Sequence, residues 1–418
     1  MGAADVEILV IGGGIGGLTA ALSLQAAGFD QIRVLESTDT IEPLGVGINV
    51  LPHAVRELTE LGLADELAAI GVPTAELAYF DRHGSQIWAE PRGRAAGYLW
   101  PQYSVHRGLL QMALLDAVHQ RLGADAVTCG ARVRSVGSDA GGATVTWGVA
   151  GVDQRARADV VVAADGIHST IRAQWHPAEG APLWNGAVLW RGTSLASPFL
   201  TGRSMIMAGH RDVKFVAYPI GAVHDDKQLI NWIAERRAPD EHFAREDWNR
   251  RVDTSTFAHH FESWQFPWLD VPRLIDTASA VYEYPMVDRL PLESWTAGRV
   301  TLLGDAAHPT YPIGSNGSSQ AILDARVLAH CLATLPIDEA LARYAALRLP
   351  PTRALQQANR SMGPEIVMQM AYERAPDGFV SIDDVFVTGE LESVAAQYKR
   401  VAGFHPDELN ERASWSVR

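Results

Sequence analysis

Residues 7–36 read EILVIGGGIGGLTAALSLQAAGFDQIRVLE. The run 7–11 is short, apolar and rich in β-branched residues, as a parallel strand buried on both faces requires. Gly12, Gly14 and Gly17 follow with the spacing Gly-x-Gly-x-x-Gly. In that pattern the first glycine makes the sharp turn, the second lets backbone approach a pyrophosphate, and the third lets a helix pack closely on the strand. The helix expected next keeps Ile15, Leu18, Leu22 and Ala26 on one face, stops at Gly28, and gives way to a second strand over 32–35. Its free N–H groups and dipole favour a phosphate above the turn. Glu36 ends the second strand, roughly 20 residues past Gly17, where a carboxylate can bind ribose hydroxyls. The stretch reads as a dinucleotide-binding unit. A membrane span does not fit, because five glycines in the six residues 12–17 break the apolar run and Gln25 and Asp30 follow too soon.

The rest of the chain narrows the class. With 418 residues there is material for two or three domains. Apolar content of 47% and charged content of 20% are those of a water-soluble globular chain. A formal charge of −14 argues against a nucleic-acid or anionic-membrane partner. Cys129 and Cys331 are the only cysteines, so neither a disulfide framework nor a metal site is expected. The N-terminus lacks a basic and then apolar leader pattern, which points to a cytoplasmic protein.

Downstream, residues 41–49 (IEPLGVGIN) form a loop in which Gly45 and Gly47 bracket Val46. That spacing suits backbone approaching a flat ligand, another strand, or an ordinary tight turn. Pro52 opens a helix to about residue 61, a short helix covers 65–70, and 77–90 fold as a hairpin around DRHG at 81–84. YSVHR at 103–107 leads into a helix with Leu115, Val118 and Leu122 on one face. Arg107 at its start opposes the helix dipole, so it wants an anionic partner, be that a ligand or a surface carboxylate.

Three strands are expected up to Trp147. Residues 160–164 form another buried parallel strand, ending in DGIHS at 165–169. Asp165 thus stands at a strand's carboxyl end, where open α/β sheets bind ligands. Residues 186–236 contain four strand-like runs with no helix between them, hence an antiparallel sheet. Trp184, Trp190, Trp232, Trp248, Trp264 and Trp268 fall in or beside it, most of them as core, one or two as candidates to line an aromatic pocket. Residues 299–303 are the last parallel strand, followed by GDAAH at 304–308, which places Asp305 at a second carboxyl end. YPIGSNG at 311–317 is a kinked loop feeding a helix with Ile322, Ala325, Ala329 and Leu332 on one face. This second glycine-rich helix start suits an electron-rich carbonyl group. Helices continue to about residue 371, and the charged tail 372–418 yields no chemistry.

Three of these motifs, GGGIGG at 12–17 with Glu36, DG at 165–166, and GDAAH at 304–308 with Pro312 and Gly314, together resemble the fingerprints of single-component flavoprotein aromatic hydroxylases. The resemblance runs from about residue 5 to 360. Within the family, LGVGIN (44–49), PQYSVHRG (101–108), WRG (190–192), YPMVDR (284–289) and NGSSQAILD (316–324) are most similar to the phenazine-carboxylate monooxygenases, and salicylate-type hydroxylases are more distant. Two segments depart from the pattern: GSNG at 314–317 replaces the Gly-Gln-Gly of many relatives, and 201–214 does not match closely.

The resemblance implies a fold: an α/β, FAD-binding Rossmann-like (glutathione-reductase-like) domain (1–73, 101–182, 280–371) interleaved with a mainly antiparallel β-sheet substrate domain (74–100, 183–279), plus C-terminal helices in a tail (372–418). It implies bound FAD, transient NAD(P)H, O2 and a small aromatic substrate, in a monomer or homodimer. Glu36 would hold the adenosine ribose, Arg107 the diphosphate region together with Gly12, Gly14, Ile15 and Gly17, and Asp305 the ribityl chain. Asp165 would lie where flavin and nicotinamide cofactor both pass. Gly47, Gly314, Ser315, Asn316 and Gly317 would contact the flavin, the last three through backbone N–H groups, and Pro312 would shape the space for activated oxygen. Arg191 would hold a ring carboxylate and Tyr218 would hydrogen-bond the substrate. His308 reads as a loop holder rather than a base. The implied reaction inserts one atom of O2 into an electron-rich aromatic or N-heteroaromatic acid by way of a flavin C4a-hydroperoxide, with loss of CO2 if the attacked carbon carries the carboxylate. The rivals are an epoxidase or reductase on the same fold and a non-catalytic prenyl carrier, which need not keep Asp165 and Asp305. A flavin halogenase is disfavoured, since its usual Trp-x-Trp-x-Ile-Pro stretch is missing.

Overall fold

The computed structural model describes residues 5–238 and 250–417. Strand Ile8–Ile11 is wholly buried and sits inside a six-stranded sheet. It pairs in parallel with Ile32–Leu35 on one side and with Val160–Ala163 on the other, and the latter pairs in parallel with Val300–Leu302. Val127–Thr128 and the antiparallel Thr296–Ala297 close the two edges. The chain reverses its order of addition beside Ile8–Ile11, so the carboxyl ends of three strands open onto one crevice, as the rule for open α/β sheets requires. The glycine turn, Asp165 and Asp305 follow those three ends.

Helix Ile15–Ala26 packs against helices Arg107–Leu122 and Gly317–Thr334 as well as the sheet. It is therefore buried on every side from Gly17 to Leu24. The one-sided face expected for it is corrected in this respect, and Ala26 is exposed. An α-carbon substituent at Gly17 would come within 1.9 Å of the Gly12 carbonyl oxygen, so only glycine lets the helix sit this low on the strand.

Eight described strands form the second sheet, in the order Arg250–Arg251, Val281–Asp288, Leu183–Ala196, Gln228–Arg237, Val213–Pro219, Ser204–His210, Glu76–Phe80 and Gln86–Pro91. All pairings are antiparallel except Ser204–His210 with Glu76–Phe80. Side chains alternate along these strands. Phe215, Trp232, Trp190, Ile206 and Ala208 enter an outer core with Phe257, Phe261 and Trp264. Trp184 and Trp268 pack against the same core, and Trp248 lies outside the described residues. The aromatic wealth of this region is thus spent on the face turned away from the crevice.

The three strands expected up to Trp147 are Val127–Thr128, Arg132–Asp139 and Gly142–Val149, and an unexpected fourth, Val152–Ala158, joins the last two in a meander. The fourth strand is mostly exposed and polar, so it carries no hydrophobic alternation. The tail is a packed part of the fold: Glu390–Val401 and Pro406–Glu411 are helices, and Leu391, Tyr398, Phe404 and Leu409 are buried.

His53, fully buried, stacks on Phe404 of the tail at 5.3 Å. Burial, with the charges of Arg348 and Arg412, lowers its pKa to about 3. The folded chain holds this ring neutral, whereas the unfolded chain takes up a proton below the ordinary value of 6.5. Stability should therefore fall as pH drops from 6.5 toward 3, by about 1.4 kcal/mol per unit from this group. Urea unfolding at pH 7 and pH 5 should show a larger loss for the natural chain than for His53→Phe. Equal losses would assign the acid sensitivity to another group.

Candidate active site

Between the strand ends and the inward face of the eight-stranded sheet lies a cleft of about 370 Å³, within the range of small-molecule sites. Gly14, Ile15 and Gly16 line one end. Gly14 has nothing within 4 Å of where a side chain would project, so its backbone faces open space. Gly12 and Gly17 serve the turn and the helix contact and do not line the cleft. Glu36 stands beside the same turn: its Oε2 accepts from Gly13 N at 2.6 Å and its Oε1 from Thr38 N at 2.8 Å. Asp165 also lies behind the wall, where Oδ2 accepts from Thr170 N at 2.8 Å while Oδ1 is buried without a partner. Burial raises the Asp165 pKa. Its neighbours Ala164 and Gly166 do line the cleft.

Asp305, Pro312, Ser315, Asn316 and Gly317 line the other end, at the N-terminus of helix Gly317–Thr334. Gly314 and Ser315 both take positive φ, 66° and 55°. Gly314 faces away from the cleft onto Tyr398, whose hydroxyl would lie 2.0 Å from a substituent there. That hydroxyl accepts from Asn316 Nδ2 at 3.0 Å and donates to Asn359 Oδ1 at 2.9 Å. The turn after Asp305 is held from behind as well. Asp324 accepts from Gly304 N at 3.1 Å and from Arg348 Nε at 2.6 Å, and meets His308 Nε2 at 2.5 Å. Burial opposes the Asp324 charge, yet His308 and Arg348 bring its pKa down to about 2. His308 is buried at this pair and does not line the cleft.

The roof comes from alternate residues of the eight-stranded sheet: Leu189 and Arg191, Met205 and Met207, Lys214, Val216 and Tyr218, Ile233 and Glu235. Arg191 Nη2 donates to the Gly47 carbonyl at 2.9 Å, and its Nε is buried without a partner. Tyr218 Oη donates to the same carbonyl at 2.8 Å, so its proton is committed to Gly47. Burial first, against the pull of Arg191, raises the Tyr218 pKa to about 12. Gly47 N in turn donates to Asn231 Oδ1 at 2.7 Å. In the loop 41–49 backbone does approach another strand, and Gly47, Ile48 and Asn49 also line the cleft. Arg107 lines the cleft beside Arg191 and Asp305, and among the described residues it makes no ion pair.

Three wall residues escaped the sequence reading: Lys214, Glu235 and Glu365. Lys214 and Glu235 are cross-strand partners, and Lys214 Nζ bonds Glu235 at 2.8 Å and also pairs with Glu365. A signal did exist. Lys214 occupies the same alternate face as Val216 and Tyr218, a position where an otherwise apolar strand turns a charge inward.

Residues 5–358 match the family described as FAD binding domain. The chain is 47% identical over 366 residues to phenazine 1,6-dicarboxylic acid hydroxylase PhzS of Lysobacter antibioticus, covering 86% of this chain and 90% of that protein. It is 32% identical over 420 residues to 3-amino-4-hydroxybenzoate 2-monooxygenase of Streptomyces cremeus, covering 96% and 97%. Among solved structures, Klebsiella pneumoniae HpxO complexed with FAD and uric acid superposes with a TM-score of 0.72 at 24% identity, covering 96% of this chain and 93% of that one.

The residues present fit FAD. Two helix N-termini open onto one cleft, Arg107 lines it without an ion pair among the described residues, and the backbone at Gly14 is bare. Among the described residues no cluster of His, Cys, Asp or Glu could hold a metal ion, and no helix is long and apolar enough to cross a membrane. Of the three acids predicted from the sequence, Glu36, Asp165 and Asp305, Asp305 is the one that lines the cleft. Asp305→Ala should weaken FAD retention by roughly 10- to 100-fold, the range of one charge-assisted hydrogen bond. The flavin-to-protein absorbance ratio after desalting measures this, and an unchanged ratio would remove Asp305 from the site.

Proposed function

The chain belongs to the FAD-dependent aromatic hydroxylase family, and from that premise we propose that it acts on an electron-rich aromatic or N-heteroaromatic acid of phenazine-carboxylate type, with NAD(P)H as reductant. One atom of O2 enters the ring and the other leaves as water, the two electrons coming from NAD(P)H. Where the attacked carbon bears the carboxylate, CO2 departs in place of a ring proton. FAD, when bound, supplies hydride acceptance and the activation of oxygen.

This chain's residues would bind, orient and exclude water. Backbone N–H groups at Gly14 and Ile15, with Arg107, would hold the diphosphate. Glu36 would hold the adenosine ribose with the lone pairs left over from Gly13 and Thr38, and Asp305 the ribityl chain. Asp165 would border the path of both cofactors. N–H groups of Ser315, Asn316 and Gly317 would carry negative charge on the reduced ring, at the positive end of an 18-residue helix. Pro312 would form the rigid rim above the reacting carbon.

The observation that carries the substrate reading is the Nε of Arg191, buried and unpartnered in a wall it shares with the apolar side chains of Leu189, Met205, Met207, Val216 and Ile233. A buried guanidinium donor with no acceptor is costly, and a carboxylate that arrives with a flat apolar ring supplies the acceptor. Tyr218, its own proton given to Gly47, would act on the substrate through Arg191.

A panel of aromatic and N-heteroaromatic acids, scored for stimulated NAD(P)H consumption with mass spectrometry of the products, should show oxygen insertion into at least one polycyclic acid. If no acid quickens NAD(P)H oxidation, an epoxidase or reductase activity replaces this reading. Arg191→Ala should raise KM for the carboxylated ring at least tenfold and for its decarboxylated analogue less than about threefold, as the loss of one charged hydrogen bond implies. Equal effects on both would take Arg191 out of substrate binding.

A further inference from the structure

The polar groups on the inward face of the roof sheet gather at two poles. Arg191 and Tyr218 meet Gly47 at one, and Lys214, Glu235 and Glu365 form the other. Val216 lies between Lys214 and Tyr218, which are four residues, about 13 Å, apart on one strand. On the other side of Glu235, Leu189 pairs with it, and Arg191 pairs with Ile233 one step along. An aromatic acid held where Arg191 and Tyr218 meet Gly47 would extend along the sheet toward Glu235.

The second pole has more acceptors than its own donors can serve. One ammonium faces two carboxylates, all three side chains are at most 9% exposed, and with both acids ionised the net charge is −1. An ammonium has three N–H groups, and two carboxylates offer four oxygens with about two lone pairs each. Buried carboxylate oxygens are costly unless donors reach them. Burial raises the Glu235 pKa against the pull of Lys214, and the charge of Glu365 adds to the rise. A tie whose only task was to pin residue 365 to the sheet would need one carboxylate per ammonium. Here the second one lines the cleft.

We propose that Glu235, held in place by Lys214 and Glu365, is a specificity residue that accepts a hydrogen bond from a hydroxyl, amino or ring N–H group at the end of the substrate remote from its carboxylate. This rests on the reading of the cleft as a site for aromatic acids and adds to it a demand on the far ring.

Calorimetric titration of the FAD-loaded protein tests the assignment, with phenazine-1-carboxylic acid against isomers that carry one hydroxyl on the ring remote from the acid. At least one isomer should bind tenfold or more tightly than the unsubstituted acid, the lower bound for a hydrogen bond to a charged group. Glu235→Gln should shrink that preference to about threefold or less. If the acids bind but no isomer is preferred, or Glu235→Gln leaves the preference intact, the far-end subsite is wrong and the aromatic-acid reading stands. If none of the acids binds, that reading fails and the subsite with it. Should Glu235→Gln not fold, the isomer comparison on the natural chain decides alone.

Discussion

One backbone unit holds the two halves of the cleft in register. The carbonyl of Gly47 accepts from Arg191 and Tyr218, and its N–H donates to Asn231. Three side chains of the roof thereby fasten to a single residue on the cofactor side. A side chain at residue 47 would come within 2.7 Å of Asn231 Cβ and 2.8 Å of Ile220, so the contact needs glycine. Such a buried network fixes one geometry, because losing any of these bonds leaves a further polar group unpaired in a low dielectric. The separation of floor and roof, and with it the room for a flat ring, follows from this joint.

What the sequence reveals is what local physics encodes. A glycine triplet between a buried strand and a helix is legible because each glycine answers a steric demand within a few residues of itself. Asp165 and Asp305 are legible because a strand's carboxyl end is a fixed place in an open sheet. The face on which a residue falls could have been read further: the period of two assigns Lys214 and Glu235 to the cleft side. Other features depend on partners far along the chain and leave no local trace. Arg172 looks like an ordinary helical arginine, yet it is buried and bonds Glu179 as well as the carbonyls of Ala306, Ala307 and Leu290. Glu365 reaches the substrate wall from a short turn 151 residues beyond Lys214. The strand Val152–Ala158 was missed for a different reason, since a solvent-facing edge strand has no hydrophobic signature to read.

Buried charge is distributed with a consistent logic. Behind the turn of Asp305, Asp324 is matched by both His308 and Arg348, with Gly304 N besides. Beneath the helix Pro52–Glu60, Glu57 is matched by Arg326 and Arg412. In these places donors equal or outnumber acceptors, which is how a structural cluster repays desolvation. The cleft differs: among the described residues Arg107 and Arg191 form no ion pair, although Asp305 stands near Arg107, and Glu235 and Glu365 share one ammonium. This imbalance in the cavity, against the matched clusters behind Asp305 and beneath Pro52–Glu60, is what a site that takes a charged ligand would show.

The loop 312–317 unites these themes. Ser315, a residue with a Cβ, is held at positive φ directly after Gly314, a conformation that costs free energy and persists only when its surroundings over-determine it. The surroundings come from the tail. Tyr398 fills the space beside Gly314 and bonds Asn316 and Asn359, while Gln320 Nε2, one turn into the next helix, donates to the Ala402 carbonyl. Lys399, the neighbour of Tyr398, is itself anchored to Glu90 at 2.6 Å. The last helices are therefore a brace on the loop that lines this end of the cleft. A loop that met its own hydrogen-bonding needs locally would have no N–H groups left to offer. By supplying contacts from behind, the tail holds the strained backbone without drawing on the cleft side, and a segment with no chemistry of its own helps to set the shape of the cleft in front of it.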